Sequence, residues 1–581
     1  MHRIVQFPAV PWLPRSAHND VAGDRLASLR GLASRAIATT GLLGSARRLR
    51  TCIALARDPA IRARAADDAR RFATFAAATA PAWRDPQGPA RTRRALVVST
   101  RTPSVEAELV TLKAVQVAGY EMTVLVEDEQ RSLRPFYALG GAMPVRLWSE
   151  FLPGAFYAGR AEALLRTCAS IDDVMRLEVN GVRAGRISAC TTLRDLRLGA
   201  IDLLTPAHRA TLRRRLAASL AAIDQAAAIL DATTPDLLIT EPEYTPKGEL
   251  FELALARGVD VVCYADAHRR DALMFKRYRA GNRDDHLTTL SASTWRDLRQ
   301  QPWTPAHRAR VADEIEGCYR RGDWFNHRAL PAAPALASAA TPDDAAARLG
   351  LDPAKKTAAV FPHVLWDAPV MWGTPLFSSY QEWFLRTMRT AYENDAVNWV
   401  VKLHPSHVWR RADEGYTDTE ETRVIDSRLG PLPAHVRLVP PEAALTTDTL
   451  LRAVDYCLTV RGTVGIEAAR LGIPVITAGQ ARYTHHGFTV DSTSADEYLD
   501  RLRHLESQPP LDDATRELAD RFAYGAFVRR PWRMESLRVT PDGQPRVTIA
   551  DAAAWAAAPD VRALAAWLAS ADEDFVGPDI A

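Results

Sequence analysis

The chain has 581 residues, 47% hydrophobic and 25% charged, enough to bury two cores rather than one. A net charge of +3 is too small to imply a nucleic-acid partner, and six cysteines (Cys52, Cys168, Cys190, Cys263, Cys318, Cys457) without a C-x-x-C pair indicate neither a zinc site nor a disulfide framework, so the reducing cytosol is the expected compartment. Prolines at 8, 11 and 14 break the first twenty residues, so no signal peptide is expected, and no run approaches the ~18 to 20 apolar residues that cross a bilayer.

Residues 1–90 read as an alanine- and arginine-rich helical appendage, with helical periodicity in Leu26 to Leu43 and Arg47 to Ala78. Its arginines (Arg47, Arg48, Arg50, Arg57, Arg62, Arg64, Arg70, Arg71) suit anionic lipid headgroups or an acidic glycan, or simply the solvated side of a helix packed on the core. A first Rossmann-like domain, 91–328, opens with the strand Ala95 to Thr100, the helix Glu106 to Ala118, Gly119 as its stop, and the strand Met122 to Val126. Residues 130–230 are mostly helical. Pro235 to Thr240 then forms a strand whose end presents Glu241, Glu243 and Tyr244, and Val259 to Tyr264 forms one ending at Asp266 and His268. An acceptor-side general base belongs at such strand ends, so Glu249 and Asp266 are candidate catalytic groups, against the plainer reading of solvated loop carboxylates.

A Pro/Ala-rich linker spans 329–345 and separates a second Rossmann-like domain, 346–510, which starts with the strand 357–363. The aromatic-rich stretch from Trp366 to Trp383 is either a lid over a ring of the ligand or local packing. Asn398 to Leu403 is an apolar strand that runs into His404-Pro405-Ser406-His407, and a histidine leaving the end of a parallel strand stands where open α/β sheets hold ligands. The most informative stretch, Asp455 to Gly479, reads as strand, glycine loop, short helix and strand. Gly462 lets the backbone approach a ligand, Thr463 is placed to cap the helix, and the first helical turn offers N–H groups to an anion. Glu467, one turn in, is positioned to accept hydrogen bonds from sugar hydroxyls. The alternatives are an ordinary crossover and a solvated loop histidine. Residues 511–581 read as a C-terminal helical segment.

Lys402-Leu403-His404-Pro405, Asp455-Tyr456 and Gly462-Thr463-Val464-Gly465-Ile466-Glu467-Ala468 together resemble the nucleotide-sugar half of bacterial capsule polysaccharide biosynthesis glycosyltransferases, Kdo transferases among them. More distantly they are similar to polysialyltransferases and CDP-glycerol glycerophosphotransferases. The resemblance runs from about residue 95 to 505 through Phe275-Lys276-Arg277-Tyr278, His286, Val360-Phe361-Pro362-His363 and Tyr483 to Thr489. It implies an α/β chain of the GT-B fold, two Rossmann-like domains facing a cleft, with no metal and no cofactor.

Breaking the bond between an anomeric carbon and a nucleotide phosphate builds negative charge on oxygen, and His404, Lys402, Arg461 and the loop Gly462-Thr463 are the groups available to stabilise it. The resemblance further implies that Glu467 holds the ribose, that Pro405 shapes the loop, and that Lys276, Arg277 and His286 face a donor carboxylate or acidic acceptor, the alternative being a structural ion-pair cluster. The expected function is transfer of a sugar from a CMP- or UDP-linked donor to a capsule or other surface polysaccharide or a lipid-linked acceptor, in the cytoplasm and at the inner face of its membrane. A polyol-phosphate transferase, a sugar-nucleotide 2-epimerase and a non-catalytic glycan-binding module are the competing readings.

Overall fold

The computed structural model describes residues 49–50, 52–54, 56–83, 92–100, 104–141, 144–269, 271–321, 324, 342–367, 371–372, 376–443, 445–539 and 545–579. The expected helix at 26–43 and most of the expected linker (329–341) lie outside them.

Two sheets organise the chain. In the first, strands β1 (Arg93–Val98), β2 (Tyr120–Val126), β3 (Val145–Leu147), β4 (Leu237–Thr240) and β5 (Asp260–Asp266) run parallel in the order β3-β2-β1-β4-β5, and β6 (Ala272–Tyr278) adds antiparallel to β5. In the second, β7 (Thr357–Val360), β8 (Asn398–Lys402), β9 (Val436–Val439), β10 (Tyr456–Thr459), β11 (Val475–Thr477) and β12 (Val490–Asp491) are all parallel, in the order β9-β8-β7-β10-β11-β12. Both orders are doubly wound, which puts a topological switch point between β1 and β4 and another between β7 and β10. The strands beside these points, β4 and β10, are buried at every position, as expected of sheets covered by helices on both faces. The molecule is thus an α/β protein with two Rossmann-like domains facing a cleft, the GT-B arrangement.

Local signals set the crossovers. Ser104 caps the helix Val105–Val117 by accepting from the Ala107 amide, and Gly119, at φ +89°, turns the chain into β2. Helix Pro206–Thr233 is long and apolar enough to span a membrane by composition, contrary to the expectation from runs alone, but half of its apolar window is buried. Its Leu212, Leu216, Leu220 and Ile223 pack into the first domain's core. Helix Pro59–Thr79 seats Phe75 beside Phe136 and Trp83 and pairs Arg71 with Glu106, while Arg62 and Arg70 stay exposed.

Packing departs from chain order in two places. Helices Ala292–Gln300 and Pro305–Arg321 precede the linker, yet Trp295, Val311, Ile315 and Cys318 share a core with Val464, Ile466 and Phe522 of the second half. The C-terminal residues are a strap rather than only a helical segment. Helix Asp513–Ala523 packs beside Val464–Arg470, then β13 (Trp532–Arg533) pairs antiparallel with β6 and becomes the outer strand of the first sheet.

Candidate active site

The loops leaving β7, β8 and β10 surround a cavity of about 200 Å³ at the second switch point, lined by His363, Lys402, His404, Pro405, Gly462, Thr463 and Glu467, with Arg482 from the loop after β11. The Arg461 amide donates to His363 Nε2 at 2.9 Å, and the His363 ring stacks on Tyr380 with centroids 5.2 Å apart. The Arg461 guanidinium carbon lies 5.6 Å from the Tyr380 ring centroid. That side chain is 4% exposed, lies behind the loop rather than in the cavity lining, and none of its three nitrogens has a hydrogen-bond partner. Arg482 Nη1 donates to Thr288 Oγ1 at 2.7 Å, but its Nε has no partner. Lys402 is 5% exposed and pairs with no acid among the described residues. Burial pushes the Lys402 ammonium down to about 8 and the Arg482 guanidinium down to about 10. Buried cations without partners are costly unless a ligand completes them. Lys402 and Arg482 in the lining of one cavity, with Arg461 on the loop beside them, therefore define an anion site.

Around this cation cluster, the other site residues take distinct roles. His404 Nδ1 accepts from the Ser406 amide at 3.2 Å, which places the proton of a neutral ring on Nε2. Thr463 does not cap the following helix: its backbone is already helical and its hydroxyl makes no capping bond. That helix, Val464–Arg470, has only seven residues, so the cationic side chains rather than a long helix dipole supply the positive potential. Gly465 is required by packing, since a Cβ there would stand 2.1 Å from the Tyr483 hydroxyl, which donates to the Gly462 carbonyl and holds the loop. Glu467 accepts from the Tyr319 hydroxyl at 2.7 Å, and burial, with Asp448 adding to it, raises its carboxyl to about 7.

A second cavity, of about 360 Å³, lies between the domains. From the first domain come Arg194, Glu241, Glu243, Asp266, His268 and His286, and from the second Thr463, Ile466 and Arg482. Burial, reinforced by Asp367 and Glu241, lifts Glu243 to about 7. His286, whose Nδ1 bonds Thr288 Oγ1 at 2.9 Å, is held well below the usual imidazole range by burial and by Arg482, Arg461 and His363. Trp372 faces this cavity and packs on His286, whereas Trp366 and Trp383 of the same aromatic stretch are buried as local packing.

Three expected site residues stand elsewhere. Glu249 is fully buried in the first turn of Lys247–Ala256, accepts from Thr245 at 2.8 Å, and lines neither cavity. Lys276 and Arg277 bind the C-terminal strap: Lys276 Nζ bonds Glu573 at 2.5 Å and Asp574 at 3.1 Å, while Arg277 bonds Asp260 and the Asp572 and Leu568 carbonyls over the Trp567 ring. Charges on β6 read as ligand groups from sequence because their partners come almost three hundred residues later. Conversely, Arg482, Glu243 and Tyr319 belong to the site without having been candidates. Glu243 had a signal, the end of β4. Arg482, in a loop after a three-residue strand, had none.

Residues 338–517, which hold β7 to β12 and the cation cluster, match the family model described as capsule polysaccharide biosynthesis protein. No curated protein matches the chain. Among solved structures the chain is similar to the Thermosulfurimonas dismutans KpsC beta Kdo 2,4 transferase (15% identity over 55% of this chain and 86% of that one, TM-score 0.32). It is also similar to the UDP-GlcNAc 2-epimerase from Neisseria meningitidis bound to UDP-GlcNAc (11%, 74% and 94%, TM-score 0.28) and to S. aureus MnaA in its UDP co-structure (11%, 75% and 94%, TM-score 0.31). The match to the capsule polysaccharide biosynthesis protein family thus falls on the second domain of a chain of GT-B architecture.

Proposed function

We propose that the protein transfers a sugar from a CMP- or UDP-linked donor to a growing capsule or other surface polysaccharide, or to its lipid-linked acceptor. The observation that carries this reading is the pair of buried cations lining the cavity at the switch point of the second sheet, Lys402 and Arg482, with the guanidinium of Arg461, buried without a hydrogen-bond partner, on the loop that supplies Gly462 and Thr463 to the same cavity. A nucleotide phosphate completes those cations, and the charge that grows on its oxygen as the anomeric bond breaks is stabilised most where donors are fixed in advance. The Nε2–H of His404 donates to the same leaving group, and Glu467 takes the ribose hydroxyls in exchange for Tyr319. The acceptor enters the second cavity, where the first domain supplies the acids Glu241, Glu243 and Asp266 beside Arg194.

Side-chain charge does the work of a metal in this scheme, so EDTA leaves turnover unchanged. A lipid-linked acceptor puts the enzyme at the inner face of the cytoplasmic membrane. Replacing the exposed Arg50, Arg57, Arg62 and Arg70 together by Gln then lowers flotation with anionic liposomes at low salt. The deciding experiment is incubation with CMP-, UDP- and CDP-linked sugars and with CDP-glycerol, reading nucleotide release. Release from a CMP- or UDP-sugar that accelerates with added glycan supports transfer. Interconversion of UDP-GlcNAc without release identifies an epimerase, turnover of CDP-glycerol alone a polyol-phosphate transferase, and neither binding nor release of any nucleotide overturns the reading.

A further inference from the structure

The second cavity contains a buried dyad outside the residues assigned above. His268 follows β5, its side chain is 3% exposed, and its ring lines the cavity between Trp324 and Phe527. Its Nε2 lies 2.9 Å from Glu314 Oε1, on helix Pro305–Arg321. Glu314 is fixed from several sides: Arg269 Nη1 bonds Oε1 at 3.0 Å, Arg533 Nη2 from β13 bonds Oε2 at 2.6 Å, and the Cys318 thiol lies 3.8 Å away. Burial alone raises this carboxyl, but His268 and the two guanidiniums outweigh it and hold it below the usual range. An ionised carboxylate only accepts, so Nε2 carries the proton and Nδ1 of the neutral ring is a bare lone pair. Nδ1 is buried and has no hydrogen-bond partner.

We propose that His268 is the general base that removes the acceptor's proton, with Glu314 as its positioning residue; this rests on the transfer reading above. As the acceptor oxygen bonds to the anomeric carbon, its proton passes to Nδ1, the bond from that carbon to the phosphate oxygen breaks, and the electron pair leaves with the nucleotide. Glu314 stabilises the imidazolium so formed. Glu243 and Asp266 line the same cavity, but a carboxylate anchors only the histidine with its lone pair unused. The trio His268, Glu314 and Cys318, with ligand atoms within 4.8 Å of one another, has one competing use, a divalent cation. Arg269 and Arg533 already supply the positive charge that Glu314 needs.

The test combines kinetics and spectroscopy on the full chain. His268→Gln is expected to lower kcat with the donor that the wild type turns over by about 10² to 10⁴-fold, while nucleotide affinity stays within about twofold. A neutral ring is the active form, so wild-type kcat rises with pH through an acidic limb and is flat above it until Lys402 loses its ammonium. Burial sets that limb below the ordinary imidazole value, with Glu314 opposing and Arg269 and Arg533 adding to the depression. Glu314→Gln removes the opposing charge, so kcat falls and the limb moves to lower pH, which a merely structural residue would not do. Should His268→Gln fail to fold, the Glu314→Gln limb decides. Nitrogen-15 spectra of labelled histidine in the wild type, with His268 assigned from the variant, are expected to show a protonated Nε2 and a bare Nδ1. A protonated Nδ1, a wild-type rate in His268→Gln, loss of turnover in Glu243→Gln alone, or a stoichiometric metal lost on His268→Gln each overturns the proposal. Absence of nucleotide binding by the wild type counts against the transfer reading instead, and the tautomer is read independently of it.

Discussion

The two switch points share one topology and opposite chemistry. Both sheets bring the ends of their first and fourth parallel strands together, at β1 and β4 in one domain and at β7 and β10 in the other. In the first domain the strand ends carry Glu241, Glu243 and Asp266, and in the second Lys402, Arg461 and, one strand further, Arg482. Topology fixes where a ligand goes, and side chains fix which one. Facing each other, an acidic crevice and a cationic one divide the labour that transfer demands, since one partner arrives as an anion and the other must give up a proton.

The largest expected effect comes from emptying the cationic side. Arg461→Ala, combined with Arg482→Ala, should weaken binding of CMP or UDP by at least 10²-fold in calorimetric titration, about 2.7 kcal/mol or more, as for truncation of a buried charge contact. Undiminished affinity would remove the asymmetry on which the comparison rests. The acidic side should respond in the complementary way. Glu243→Gln is expected to leave nucleotide affinity within about twofold and to raise the acceptor KM by about tenfold, the size of one charged hydrogen bond. Equal effects on donor and acceptor would merge the two crevices into one site.

Glu249 sharpens the comparison from outside it, as an acid buried without a cavity. Its carboxyl is raised to about 7, first by burial. Between the ordinary value and 7 the folded state therefore holds a proton that the unfolded state has lost, and stability falls as pH rises through that window. Glu249→Gln keeps the Thr245 contact and should raise stability at pH 8 by about 1 to 3 kcal/mol, with no gain at pH 4. Thermal melts at the two pH values decide this, and a loss of turnover at unchanged stability would return Glu249 to the catalytic group.

What sequence made legible follows from the range of the interactions. The helix stop at Gly119, the apolar runs of β4, β8 and β10, and the loops His404-Pro405 and Gly462-Thr463 all rest on contacts within a few residues, and they appear where expected. Lys276 and Arg277 were misread because adjacent positions on a strand face opposite ways and both faces of β6 are covered by distant chain. The placement of helices 292–321 with the second sheet, the return of β13 to the first, and the Tyr319–Glu467 bond likewise depend on partners more than a hundred residues away. Nothing local to Arg482 announces that its loop closes over both cavities.

The smallest effect is the most specific, because it isolates one group by pH. Burial lowers Lys402 to about 8, so its ammonium is present below that value and is lost as pH rises through it. Between pH 7.5 and 9.5 the nucleotide phosphate is already fully ionised, its second pKa being about 6. Glu243 and Glu467, at about 7, have mostly titrated as well, His363 and His286 are neutral throughout, and Arg482, at about 10, keeps most of its charge. Affinity for CMP is therefore expected to fall by about tenfold across this window, roughly 1.4 kcal/mol for one charge-assisted contact. Bound phosphate favours the charged form, so the limb lies above 8 in the complex and lower in the free protein. Lys402→Arg keeps its charge at every pH used and should bind without the limb, though a planar guanidinium fits an ammonium site poorly. Lys402→Met should bind weakly and flatly. Titrations of the three proteins at four pH values separate these cases, and a limb that survives in Lys402→Met would assign it to another group of the cationic crevice.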